Sequence, residues 1–182
     1  EYGLHSSSRS EVFSVIQSAV RADTLPDRRR LGELLVERGL IRPADIANAL
    51  SLQAQNGGLI GLNLVRLGAL SEAQLLDVLS EQLDLPILAP ENGPAPERIS
   101  AFLDEIGSPL AWWADREAVA WREEPQDGAG ETRILCAAVQ PLDPALAERI
   151  AQAQSLQASA EPVAFFLAQR SLIEALAEDL TR

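Results

Sequence analysis

The 182-residue sequence contains no lysine and no methionine, one cysteine, one histidine, and only 4% aromatic residues. All 15 basic residues are arginine. A Walker A loop needs a lysine to reach nucleotide phosphates, so this chain carries no P-loop ATPase site. Cys136 has no partner for an intrachain disulfide, and its place in the apolar run 134–139 marks it as a small buried hydrophobe. His5 has no His or Cys companion, so neither a metal site nor a histidine-based triad is expected. No apolar run approaches the ~20 residues needed to span a bilayer. Residues 1–10 are polar and lack a signal-peptide core. With no methionine even at position 1, the chain is expected to be a piece of a longer protein. The 27 acidic residues bring the net charge to −12, which leaves no basic surface wide enough for nucleic acid or an anionic membrane. What remains, 47% hydrophobic and 23% charged, is the composition of a soluble globular chain of one domain or two small ones.

Within it a 24-residue pattern occurs twice, at 30–53 (RLGELLVERGLIRPADIANALSLQ) and 59–82 (LIGLNLVRLGALSEAQLLDVLSEQ), at a constant offset of 29. Identical pairs are Gly32/Gly61, Leu35/Leu64, Val36/Val65, Gly39/Gly68, Ala44/Ala73, Leu50/Leu79, Ser51/Ser80 and Gln53/Gln82. Leu31/Ile60, Ile41/Leu70 and Ile46/Leu75 are apolar in both copies. Such regularity means one supersecondary unit built twice. Two like units side by side suit a ligand that is itself two-fold symmetric.

Each copy reads as a helix–turn–helix hairpin. Gly39 can end the first helix in the left-handed conformation, and Pro43 suits the first position of the second. Ser71 and Gln74 form a capping-box pattern. Asn56-Gly57-Gly58 is a flexible joint. Ahead of the repeats, residues 11–21 have helical spacing and 22–29 read as a linker. Beyond them, Ile87-Leu88 is a short strand candidate and 90–96 a turn-rich connector. Short helices are expected at 96–106 and 109–115. Strands are expected at 118–122 and 132–139, joined by a hairpin loop over 123–131. A helix at 144–157, a strand at 162–167 and a helix at 171–180 complete the chain. The fold class is therefore α+β: a tandem helical-hairpin repeat followed by a small mixed α/β subdomain. The domains are 1–27 as a lead, 28–89 as the repeats and 90–182 as the subdomain.

Candidate site residues follow from the repeat. Arg28-Arg29-Arg30 is the one basic cluster, able to hold a phosphate or the acceptor edge of a guanine, or else a solvated linker. Leu31-Gly32 and Ile60-Gly61 precede the short helices, where a glycine admits close approach of a ligand, or of one hairpin to the next, and the first N–H groups of a helix favour anions. Gln53 and Gln82 end the second helices and need a partner, either a ligand base or backbone of the neighbouring unit. Trp112, Trp113 and Trp121 read as core or interface packing. Glu123, Glu124 and Asp143 have no partner acid or base, and no enzyme is expected.

The pattern RLGxxLxxxGLIxxxxIxxALxxQ, repeated after the spacer 54–58, resembles the MshEN domain found at the N-terminus of type II secretion (GspE-like) and type IV pilus assembly ATPases and in some bacterial glycosyltransferases. The resemblance is strong across 30–86, including the closing Gln82-Leu83-Asp84-Leu85-Pro86, and continues through 134–144. It departs at Leu59, where a basic residue is common, at Asn63, and at Gln140-Pro141. It implies a non-catalytic, cytoplasmic regulatory domain for protein transport that binds the nucleotide cyclic di-GMP, with no other cofactor. On that resemblance Arg30 binds a guanine or phosphate. Leu31, Gly32, Ile60 and Gly61 give close backbone and apolar contacts. Leu35, Leu50, Leu64 and Leu79 pack around the bases, Gln53 and Gln82 give polar contacts, and Gly39 and Gly68 complete the two motifs. The implied partners are the cytoplasmic domain of an inner-membrane platform protein and the C-terminal ATPase domain of the parent chain, without nucleic acid or membrane insertion. A module that docks the ATPase on its platform, using 11–21 and the tryptophans, is the alternative, as is the regulatory domain of a glycosyltransferase.

Overall fold

The computed structural model describes residues 30–124, 131–157 and 161–181. The helix expected at 11–21, Arg28 and Arg29, and most of the 123–131 loop lie outside the described residues. The described residues fall into two compact units that meet in sequence between Ile87 and Leu88. Among them are eight α-helices and one three-stranded sheet, an α+β composition.

The first unit is helical: α1 (Leu31–Glu37), α2 (Pro43–Asn56), α3 (Ile60–Arg66) and α4 (Glu72–Leu83). α1 and α3 are seven residues each, too short to persist alone, because isolated helices below ~12–15 residues are marginal in water. Each ends in the same way. Gly39 donates to the Val36 carbonyl at 2.9 Å and Leu40 to the Leu35 carbonyl at 3.0 Å. Gly68 donates to Val65 at 2.9 Å and Ala69 to Leu64 at 3.0 Å. These paired bonds satisfy orphan carbonyls and require a left-handed residue, supplied by Gly39 (φ 67°) and Gly68 (φ 70°). α2 starts with Pro43 at its first position, and the Asp45 carboxylate accepts from the Arg42 backbone N–H at 2.8 Å. Arg42 also holds the Asp45 carboxyl below its usual pKa, chiefly by a side-chain hydrogen bond. α4 carries the full capping box: Gln74 N–H donates to Ser71 Oγ, and Ser71 N–H to Gln74 Oε1. The core of this unit is Leu34, Leu35, Ile41, Ala49, Leu64, Leu70, Leu75 and Val78.

The second unit begins with one turn of 3₁₀ helix at Pro90–Asn92. It comprises α5 (Pro96–Glu105), α6 (Leu110–Ala114), β1 (Ala118–Glu123), β2 (Arg133–Ala138), α7 (Pro144–Gln157), β3 (Val163–Leu167) and α8 (Arg170–Asp179). β1 pairs antiparallel with β2, and β3 joins β2 in parallel after the α7 crossover. Central β2 is buried along Ile134–Ala138, as a strand covered on both faces must be. α5 and α8 pack on the sheet, with Ile99, Phe102 and Leu103 of α5 and Ile173 and Leu176 of α8 buried. Arg122 of β1 pairs with Glu105 at the end of α5 and with Glu161 just before β3. Ile87-Leu88 forms an isolated β-bridge at Ile87 rather than an extended strand, and Leu88 N–H donates to the Leu167 carbonyl at 2.7 Å.

Two of the three tryptophans are core. Trp113 is fully buried and donates its indole N–H to Ser108 Oγ at 3.0 Å. Trp121 is 3% exposed and stacks on Phe166 with centroids 6.3 Å apart. Neither can serve as a docking surface, which corrects that expectation. Trp112 alone is half-buried, with the Arg116 and Arg149 guanidinium carbons 4.0 and 4.6 Å from the ring centroid.

Cys136 pairs with Ala120 and Phe165 across the sheet and is fully buried. Burial pushes its thiol well above the usual range, because the thiolate would be left unsolvated. The expected outcome with a thiol-specific reagent at about pH 8, where a free thiol is partly ionised, is no labelling of the native protein and full labelling in denaturant. Rapid native labelling would contradict this packing.

Candidate functional site

The candidate residues all lie in the helical unit, where the structure sorts them by burial. Arg30 is the exposed residue capping α1. Its backbone N–H donates to the Glu33 carboxylate at 3.2 Å. An arginine side chain has no acceptor, so it can complete only that half of a capping box. Among the described residues its guanidinium makes no ion pair. Leu31 and Ile60 are half-buried against the core.

Gly32 and Gly61 are buried, and side chains of the following helices press on them. A Cβ on Gly32 would stand 3.1 Å from Ile46 Cδ1; one on Gly61 would stand 2.8 Å from Leu75 Cδ1 and 3.1 Å from Leu31 Cδ2. Both glycines therefore permit helix-on-helix packing in this unit. Leu35 and Leu64 have no exposed surface. They cannot touch a base without opening the core, so the expectation that they pack around a ligand is corrected to a supporting role. Gly39 and Gly68 are turn formers with open space around them. Leu79 is half-buried on the core, whereas Leu50, its identical counterpart, is 49% exposed. Leu59 is 51% exposed.

The two glutamines end half-buried. Gln53 Nε2 donates to the Gly58 carbonyl at 2.6 Å, so in this structure the amide holds backbone of the joint. Asn63, 2% exposed, donates its Nδ2–H to the Gly57 carbonyl at 3.1 Å. Two side-chain amides thus grip consecutive carbonyls of the joint. Gly57, at φ 72° and ψ −156°, occupies a region essentially restricted to glycine. The role of Asn63 was not foreseen in the sequence, although a polar residue at the place held by Leu34 in the first copy was its signal. Gln82 is also engaged in an interaction. Between the hairpins, Arg38 donates to Glu81 at 2.6 Å; both are well exposed, so the pair adds little.

What this arrangement offers is an exposed guanidinium, two exposed leucines and a fixed glycine joint. Among the described residues there is no cluster of three His, Cys, Asp or Glu able to hold a metal. No helix among them is long and apolar enough to cross a membrane.

No family model matches the chain. The structure of MshE with cdg (cyclic di-GMP) is similar over 83% of this chain and 98% of that one, with a TM-score of 0.60 and 28% identity. The N-terminal domain of XpsE aligns over 84% of this chain and 97% of that one, with a TM-score of 0.54 and 23% identity, a likeness of fold. The type IV pilus assembly ATPase PilB of Myxococcus xanthus (strain DK1622) is 44% identical over 59 residues, which are 32% of this chain and 10% of PilB. The likenesses to MshE and PilB agree with the resemblance to the MshEN domain.

The turn geometry carries a stability consequence. Gly68→Ala places a Cβ on a left-handed residue and is expected to cost about 1–2 kcal/mol in chemical denaturation, by strain alone, since nothing lies within 4 Å. An unchanged midpoint would contradict the described turn.

Proposed function

We propose that this chain is a non-catalytic regulatory domain of a type II secretion or type IV pilus assembly ATPase, and that its tandem hairpins form one binding site for cyclic di-GMP. The observation that carries this is the likeness to MshE, solved with that nucleotide, across nearly all of the MshE chain. The two hairpins read as copies of one unit at an offset of 29 residues. α1 and α3 start at Leu31 and Ile60, α2 and α4 at Pro43 and Glu72. Equivalent positions Leu35/Leu64, Ile41/Leu70 and Ala49/Val78 are buried in both. Two like hairpins suit a ligand that is itself two-fold symmetric. The domains are then a lead at 1–27, the site at 28–89 and the α+β subdomain at 90–182.

In this proposal Arg30 binds a guanine edge or phosphate, and Leu31, Leu50, Ile60 and Leu79 contact the bases. Gln53 and Gln82 supply polar contacts where they can exchange a protein partner for the ligand. Gly32, Leu35, Gly39, Gly61, Leu64 and Gly68 form the frame that places them. Regulation is linkage: a ligand that bridges both hairpins favours one arrangement of them, and any motor state coupled to that arrangement is favoured equally. The parent is read as an ATPase and not a glycosyltransferase because the PilB match falls on that side. Its cytoplasmic setting and its platform partner belong to the same proposal. Half-buried Trp112, flanked by Arg116 and Arg149, is the surface favoured for docking.

Calorimetric titration with cyclic di-GMP, with GTP and cyclic di-AMP as controls, is expected to give selective binding. Arg30→Ala is expected to weaken it roughly 10- to 100-fold, the worth of a bidentate arginine–guanine contact, with an unchanged melting curve. Unchanged affinity would remove Arg30 from the site. Absence of heat from the unmodified chain would overturn the ligand and leave the docking role.

A further inference from the structure

The two halves of the proposed site differ at one place in a way that bears on which ligand they accept. Arg30 and Leu59 occupy equivalent positions, each immediately before a seven-residue helix. Their backbones agree: φ −67° and ψ 139° at Arg30, φ −83° and ψ 143° at Leu59. The Arg30 carbonyl accepts from Leu34 at 3.2 Å, and the Leu59 carbonyl from Asn63 at 3.0 Å. The two side chains therefore leave the chain from matching points, one carrying a guanidinium and the other an aliphatic group that is 51% exposed.

We infer that the site reads only one guanine. Leu59 is the specificity-determining residue of the second half, and the ligand class extends to mixed cyclic dinucleotides that carry one guanine and one adenine. This rests on the cyclic dinucleotide reading above. Guanine presents two acceptors, O6 and N7, on its outer edge, and an arginine binds both; adenine presents an acceptor and a donor there. Leucine contacts either base equally, because it has no polar atom to be left unpaired. Sites that hydrogen-bond a substrate group reject analogues strongly, whereas apolar pockets discriminate weakly.

The neighbouring amides do not restore a guanine reader beside Leu59. Gln53 gives one Nε2–H to the Gly58 carbonyl, the residue just before Leu59; the N–H and Oε1 that remain match the donor–acceptor edge of adenine rather than the two acceptors of guanine. Asn63 gives one Nδ2–H to the Gly57 carbonyl and is almost wholly buried, which keeps the rest of its amide from a base. Leu50, one turn before Gln53 on α2, adds further exposed apolar surface. The joint side of the site is therefore made for stacking and apolar contact.

The test is calorimetric titration of the full chain with cyclic di-GMP, 3′,3′-cyclic GMP-AMP and cyclic di-AMP, alongside Leu59→Arg checked for native circular dichroism. The expected result is that the first two bind within about threefold of each other and cyclic di-AMP roughly tenfold or more weaker, since only the last lacks a guanine for Arg30. Leu59→Arg is expected to raise the preference for cyclic di-GMP over the mixed ligand by about tenfold. If cyclic di-GMP binds but the mixed ligand is weaker by roughly 30-fold or more, the second half reads guanine by another group; the inference falls while the site stands. If none of the three binds, the site itself falls, and the inference with it. The unmodified chain alone decides between these outcomes should the variant fail to fold.

Discussion

The helical unit depends on one constraint: seven-residue helices cannot stand alone, and α1 and α3 survive because both hairpins share a core. Leu35 and Leu64 have no exposed surface, and Ile41, Leu70, Leu75 and Val78 close around them. Each such side chain contributes about 1.5–3 kcal/mol on burial, more than the few tenths supplied by the Arg38–Glu81 pair at the surface. Gly61 then follows from packing, since its Cβ would press on Leu75 and Leu31. The two hairpins share one core, which sets the residues of both motifs on a common frame.

The joint between them is held more tightly than three flexible residues suggest. Gln53 and Asn63 bind adjacent carbonyls, and Gly57 and Gly58 take conformations with φ of 72° and 84° that a side chain would oppose. The apolar surface left open at Leu50 and Leu59 thus sits on a fixed frame. Exposed leucines are ordinary when scattered. Here they lie to either side of the joint between two like motifs in sequence, and the proposal takes them for the surface that receives the ligand.

Much of the fold was legible in the sequence because its signals are local. Pro43 and Pro144 set the starts of α2 and α7, Gly39 and Gly68 the ends of α1 and α3, and the Ser71–Gln74 pair the start of α4. The apolar run before Gln140 became the central strand, as its continuous burial requires. Non-local facts were not legible. Ile87-Leu88 has strand composition, yet it forms only an isolated bridge at Ile87. Leu35 and Leu50 look alike in the repeat, yet one is sealed in the core and the other half in water. Periodicity assigns a residue to a helix face; it does not say whether protein or ligand covers that face. Trp112 and Trp113 are neighbours in sequence with the same ambiguity, resolved only by the Ser108 partner that Trp113 finds inside.

The central claim is that both hairpins form a single receptor for one ligand. Amide chemical-shift mapping during titration with cyclic di-GMP tests it most directly. The account predicts that Arg30–Leu35, Leu59–Leu64 and the ends of α2 and α4 at Gln53 and Gln82 shift together, with one common dissociation constant. Perturbations limited to one hairpin, or centred in the sheet unit beyond Leu88, would contradict it.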